Sequence, residues 1–247
     1  MRSVIALLGA VASTAAHGYV QQITAGGTVW SGYLPYTDPY YNPVPQRIVR
    51  PFPGNGPVTN LSFIDVQCNG DTVNGIIGTT PAALYATAAA GSVVTLNWTT
   101  WPDSHLGPII TYLAKAPSDI TKWLPGTAAV WFKVAQSGYS NGTWASTALI
   151  NNKSIYQFTI PKTLAPGQYI IRHEIIALHA AYTYPGAQVY PDCIQIQVTG
   201  SGTASPSSSY LVSFPGAYTG TTPGIVFDVY QGNASTYTIP GPAVWTG

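Results

Sequence analysis

Residues 193–200 read CIQIQVTG, and the first six of them alternate cleanly. Ile194, Ile196 and Val198 fall on one side of an extended chain, and Cys193, Gln195 and Gln197 on the other. A period of two is a strand signature, and the same texture recurs along the chain. SVVTLNW (92–98), PIITYLA (108–114), AVWFKVA (129–135), YQFTI (156–160) and GQYIIRHEIIAL (167–178) are β-branched or aromatic runs bounded by Gly, Pro, Asn or Ser. No stretch carries helical periodicity of any length. Short strands separated by turns predict an all-β fold, an antiparallel β-sandwich of the immunoglobulin-like or fibronectin III-like kind.

Two long segments lack this rhythm. Residues 31–57 are rich in proline and hold four tyrosines, which favours a functional loop. Residues 200–210, GSGTASPSSSY, read as a flexible surface crossing. Ordered-looking sequence resumes after it, so a single domain is expected.

The first sixteen residues have the three parts of a secretory signal. Arg2 supplies the positive start, VIALLGAVA (4–12) the apolar centre, and Thr14-Ala15-Ala16 the small-residue cleavage site. The apolar run is too short to span a bilayer. Cleavage after Ala16 would leave 231 of the 247 residues, 17–247, as one secreted, extracellular domain without a separate carbohydrate-binding module. A monomer is expected.

Charged residues make up only 7% of the chain, while 17 Tyr and 7 Trp call for a packed interior. Loss of Arg2 leaves eight basic against eight acidic side chains. That balance offers no counterion release for nucleic-acid binding and little attraction to an anionic membrane. A neutral partner that stacks on aromatic rings, such as uncharged polysaccharide, suits it better. The two cysteines, Cys68 and Cys193, predict one disulfide in an oxidising compartment. Sequons at Asn60, Asn141, Asn152 and Asn233 are glycosylation candidates; a fifth, at Asn97, falls inside an apparent strand and is the least expected to carry sugar.

Four histidines remain: His17, His105, His173 and His179. Cleavage after Ala16 would give His17 a free α-amino group beside its imidazole. Amine and Nδ1 can close a six-membered chelate on one metal ion, and an amine pKa of about 7.7–8.0 makes deprotonation inexpensive. A third nitrogen from another histidine would complete a planar T-shaped set, which points to Cu(II). HEIIALH (173–179) begins like a zinc-protease signature, but its histidines are six apart rather than four, on different faces of a helix and on one face of a strand. The strand reading wins, and His173 reads as structural, with Arg172 and Glu174 as potential polar partners.

HGYV at the expected mature start, WPDSHLGPIITYL (101–113), RHEIIALHAA (172–181) and GAQVYPDCIQIQV (186–198) together resemble the fungal cellulose-active lytic polysaccharide monooxygenases, the ninth auxiliary-activity family. The likeness runs from His17 to Gly247. It implies a mononuclear copper held by His17 and by His105 of H-x-G-P, with Tyr190 of Q-x-Y-x-x-C at the protein-side axial position. It makes Gln188 a hydrogen-bond donor toward the oxygen co-substrate and His179 a residue that positions or protonates that co-substrate. It agrees with the Cys68–Cys193 pairing. The implied activity is oxidative cleavage of β-1,4-glucan, cellulose foremost, at C1 or C4, using O2 or H2O2 and an external electron donor.

A flat polysaccharide calls for a flat face, built from long loops and carrying exposed rings. Tyr33, Tyr36, Tyr40, Tyr41, Tyr218 and Tyr230 are the candidates, and Tyr40, Tyr230 and Tyr218 are expected to bind substrate. Asp103 and Ser104 are expected to shape the loop that carries His105. Two other readings are a non-catalytic polysaccharide-binding sandwich and a copper-binding or copper-delivery protein. The first gives no reason for His17 to follow the cleavage site, and the second gives no role to Gln188 or His179.

Overall fold

A computed structural model describes residues 17–75 and 78–247. The expected signal, residues 1–16, lies outside them. Eleven strands and one short α-helix are described, besides five single-turn 3-10 helices: β1 (Val20–Ala25), β2 (Thr28–Ser31), β3 (Ala86–Ala89), β4 (Val93–Trp98), β5 (Ile109–Lys115), β6 (Trp131–Ser137), β7 (Tyr139–Ser140), β8 (Thr143–Trp144), α1 (Ala145–Asn151), β9 (Ile155–Thr159), β10 (Gly167–Ala177) and β11 (Gln188–Thr199).

Nine of these strands form two sheets. One has the order β2-β1-β4-β9, the other β3-β11-β10-β5-β6, and β7-β8 is a separate hairpin. All pairings are antiparallel except β3 on β11. The expected β-sandwich is therefore the observed architecture. Between the sheets lies an apolar core in which Ile23, Val94 and Leu96 of the first sheet join Leu113, Phe132, Ile171, Ile194 and Ile196 of the second.

The alternation in CIQIQV is real, but its other side is not solvent. A second apolar cluster covers the outer face of the five-stranded sheet. It joins Ile110, Tyr112, Ile170, Ile176 and Cys193 to Phe214, Tyr218 and Ile225 of the C-terminal segment. Gln195 is fully buried on that side and is satisfied by main chain: its Oε1 accepts from Ala82 N at 3.0 Å, and its Nε2 donates to the carbonyls of Ala82 and Leu84 at 2.9 and 2.8 Å. A buried amide left unpaired would cost about 1–3 kcal/mol, so the 82–84 segment is stitched to β11 rather than merely laid on it.

Arg172, His173 and Glu174 sit in the middle of β10 and are completely buried. Because successive side chains point to opposite faces, they do not form the single network expected. Arg172 and Glu174 share the outer side and pair at 2.6 Å, with the guanidinium 3.7 Å from the centre of the Phe214 ring. His173 faces the inner core. Its Nε2 accepts from the Trp98 indole at 3.1 Å, and Nδ1 meets the Thr111 hydroxyl at 2.9 Å. Burial, then the charge of Arg172, holds its pKa down at about 3. It is structural, as expected.

Cys68 and Cys193 are joined, with Cα atoms 5.2 Å apart. The bridge fastens the segment before β3 to β11, and paired main-chain bonds between Val58 and Val189, at 2.8 and 3.0 Å, fasten it again. Asn60, Asn141, Asn152 and Asn233 are exposed, whereas Asn97 is half-buried in β4, paired on both sides.

Candidate functional site

Three loops and one strand end bring His17, His105, His179, Gln188 and Tyr190 to one end of the sandwich. The central element is β11, which starts five residues before the CIQIQV run, so Gln188 and Tyr190 lie in a strand and share a face. The Tyr190 hydroxyl donates to Gln188 Oε1 at 2.7 Å. That bond turns the amide so that Nε2, a donor only, has no hydrogen-bond partner among the described residues. Burial pushes the Tyr190 phenol well above its ordinary value, so the ring is a neutral hydroxyl and not a phenolate.

His105 is carried by a loop whose glycine explains the H-x-G-P spacing. A Cβ at Gly107 would collide with the carbonyl oxygen of Ile176 in β10. Only glycine lets the loop approach that closely. The approach is stitched by Leu178 N to Leu106 O at 2.8 Å, Ile176 N to Pro108 O at 3.1 Å and Gly107 N to Ser146 Oγ at 3.0 Å. The Trp101 indole donates to the His105 carbonyl at 3.0 Å and closes the loop from the other side. Ser104 Oγ lies 3.0 Å from His105 Nδ1, as its expected loop-shaping role requires; Asp103 makes no such contact.

The ring of His105 stands between the other two. Its centroid is 5.6 Å from that of His17, edge to face, and 4.0 Å from that of His179, tilted by 37°. The Tyr190 ring is 5.8 Å from His17 and 6.3 Å from His105. Burial, then His179 and His17, lowers the His105 pKa to about 4, and burial followed by His17 lowers that of His179. Both rings are neutral at ordinary pH and carry lone pairs.

His105 Nε2 and His179 Nδ1 are buried without a hydrogen-bond partner among the described residues. An orphaned imidazole nitrogen costs free energy unless something binds it. With Nδ1 engaged by the Ser104 hydroxyl, Nε2 is the His105 ring nitrogen left open beside His17. Among the described residues no group of three or more His, Cys, Asp or Glu side chains converges as a metal cage. Cleavage after Ala16 would free the His17 amine as a third nitrogen beside the histidine pair. A two-imidazole, one-amine set suits copper by donor type, and the residues present fit that ion.

Several residues outside the sequence reading hold this site. Asp192 is buried in β11, and its Oδ2 accepts from Val20 N at 2.9 Å, tying the strand that follows His17 to the strand of Tyr190. Asn55 Nδ2 donates to the His17 carbonyl at 3.3 Å, and the Tyr36 hydroxyl donates to Asn55 Oδ1 at 2.7 Å. Nothing in the sequence distinguishes Asp192 from an ordinary strand residue or Asn55 from an ordinary loop residue. Their contacts span 172 and 38 positions.

The tyrosines divide. Tyr36, Tyr40 and Tyr41 of the 31–57 loop are exposed, Tyr40 at 83%, and Tyr230 is exposed at 63%. Tyr33 is half-buried against Phe52. Tyr218 is not a substrate residue: it is 2% exposed, lies in the cluster under the C-terminal segment, bonds to Tyr112 Oη at 2.9 Å and donates to Glu174. Its hydroxyl serves the buried Arg172–Glu174 pair. Tyr182 and Tyr184, three and five residues past His179, are exposed and were not singled out by the sequence.

Residues 17–237 match the family described as Auxiliary Activity family 9, formerly GH61. The AA9 family lytic polysaccharide monooxygenase B of Gloeophyllum trabeum is 60% identical over 250 residues, which cover 100% of this chain and 98% of the relative. The AA9 family lytic polysaccharide monooxygenase B of Malbranchea cinnamomea is 56% identical, covering 98% and 96%. Among solved structures, the extended catalytic domain of H. jecorina LPMO9A superposes with a TM-score of 0.83 at 35% identity, covering 94% of this chain and 92% of that one. The crystal structure of a cellulose-active polysaccharide monooxygenase from M. thermophila gives 0.80 at 34% identity, covering 94% and 100%. With the paired histidines, the buried Tyr190 and the sandwich beneath them already in view, the chain belongs to Auxiliary Activity family 9, the lytic polysaccharide monooxygenases.

Proposed function

We propose that this protein is a secreted, copper-dependent monooxygenase that cleaves β-1,4-glucan, cellulose foremost, by oxidation at C1 or C4. It acts after removal of residues 1–16, as a single monomeric domain over residues 17–247, with glycans on exposed sequons. The observation that carries the reading is the unpartnered His105 Nε2 held beside His17 over the buried Tyr190. The likeness to the cellulose-active polysaccharide monooxygenase from M. thermophila supports the choice of substrate.

In this reading His17, through its amine and Nδ1, and His105, through Nε2, hold copper, with Tyr190 on the protein side. Copper bound there would supply one-electron reduction by an external donor and activation of O2 or H2O2 toward a sugar C–H bond. The remaining work belongs to the chain. Tyr190, buried in β11 with a neutral phenol, would close the protein side of the site and leave the solvent side to reactants. Its hydroxyl holds Gln188 so that Nε2 is presented as a donor to the oxygen co-substrate. His179, whose Nδ1 has no protein partner, positions or protonates that co-substrate. The exposed Tyr40 and Tyr230 stack on glucose rings and hold the chain against the face.

Mass spectrometry of soluble products from cellulose, with copper and a reductant, tests this directly. Wild type should release oxidised oligosaccharides, aldonic acids for C1 attack or gem-diols for C4. His105→Ala should release none. Unmodified products alone, or none from any glucan, would overturn the reading.

A further inference from the structure

We propose that Tyr182 and Tyr184 form a second sugar-binding wing beside His179, so that one β-1,4-glucan chain lies across both wings with the histidines between them. This deepens the polysaccharide reading above and rests on it. The first wing is tied to His17, since Tyr36 bonds to Asn55 and Asn55 to the His17 carbonyl. The second is tied to His179 by the chain itself. Directly after His179 the backbone turns, with Ala181 N bonded to Leu178 O at 2.9 Å, and Tyr182 emerges 62% exposed.

The loop is built rigidly. A Cβ at Gly186 would collide with the carbonyl of Ala180 and come within 2.5 Å of that of Thr183, so the loop closes tightly on itself. The Tyr184 ring rests on Gly220, where an added Cβ would lie 3.0 Å from Cγ and 3.1 Å from Cδ1. Phe227 N donates to the Ala181 carbonyl at 2.8 Å. That bond joins this loop to the segment that carries exposed Tyr230. Three exposed phenol rings thus belong to two loops fastened to each other beside His179.

Exposed aromatic rings leave apolar area in water that folding does not recover, and a ring fixed in advance binds without losing rotamer freedom. Residues 180–186, AAYTYPG, carry no charge. A neutral, rigid, tyrosine-bearing surface matches the apolar faces and hydroxyl edges of an uncharged sugar chain better than it matches an ionic partner.

The test compares wild type with Tyr182→Ala/Tyr184→Ala and with Gly220→Val, which keeps both tyrosines but displaces the Tyr184 ring. Copper-loaded proteins are partitioned onto insoluble cellulose, while melting temperature and copper uptake are measured in parallel. The double variant should bind about tenfold more weakly, the loss of two aromatic contacts, with copper uptake and melting temperature unchanged. Gly220→Val should fall between the two. Binding equal to wild type in a variant whose wild-type parent still oxidises cellulose would overturn this proposal alone. Absence of oxidised product from wild type would instead overturn the reading it rests on. A self-association seen for wild type and lost in the double variant, without a change in cellulose binding, would give the patch to a second copy and overturn the proposal.

Discussion

Gly107 shows how much of the candidate site rests on a residue with no side chain. The H-x-G-P spacing was visible in the sequence, but its reason was not: the glycine touches a carbonyl in β10, some seventy positions away. Gly107→Ala should displace the His105 loop. Overpacking of this kind costs about 1–3 kcal/mol, and copper titration should show weakened binding alongside a fall in melting temperature. A normal copper affinity would mean that the loop can shift without moving His105.

His173 carries a prediction in pH. Its folded pKa of about 3 lies below the unfolded value of 6.5, so between those limits the unfolded chain binds the extra proton. Its contribution to stability is complete above pH 6.5 and falls as pH drops, by about 1.4 kcal/mol per unit. The reason is geometric: a proton on Nε2 would face the Trp98 N–H, donor against donor. Denaturant unfolding of His173→Gln and wild type across this window should show a shallower slope in the variant. The buried carboxyl of Asp192, pushed up to about 7 by burial, acts with the opposite sign in both proteins and drops out of the difference.

At the level of elements, the strands rich in β-branched and aromatic residues were legible and those of mixed composition were not. β4, β5, β9 and β10 fall within about two residues of the runs that announce them. β1, β2 and β3 are four to six residues long, and VQQITA, TVWS and ATAA mix apolar with small or polar residues. Helix α1 spans seven residues without a side-chain N-cap or an acidic first turn, so no helical signal precedes it. Burial on both faces of β10 and β11 was also hidden, because the covering segment comes from residues 212–239 and depends on tertiary packing. The misreading of Tyr218 has the same source. Exposed and buried tyrosines look identical in a loop, and Tyr218 is recruited by Glu174. Glu174→Ala should cost about 3–5 kcal/mol, since it leaves Arg172 charged and unpaired in the interior. Tyr218→Phe should cost less, about 1–3 kcal/mol for the lost donor. Equal losses in chemical denaturation would show that the ion pair does not carry the cost.

For the molecule as a whole, the disulfide was readable from a count of two cysteines, and Cys193, three residues after Tyr190, put one end of it beneath the site; what the Cys68 end fastens was not readable. It closes a loop across 125 positions, for which the chain-entropy account gives about 4–5 kcal/mol. Cys68→Ser/Cys193→Ser should therefore melt roughly 10–20 °C below wild type. Asn55 rides on the fastened segment, so copper affinity should weaken as well; calorimetry of folded double mutant at low temperature measures that apart from unfolding.

The five-stranded sheet is a party wall between two rooms. Its inner side lines the space between the sheets and its outer side lines the space beneath the C-terminal segment, so neither room can be emptied while the other stays furnished. One calorimetric peak, with van't Hoff and measured enthalpies in agreement, is the expected signature of such shared masonry.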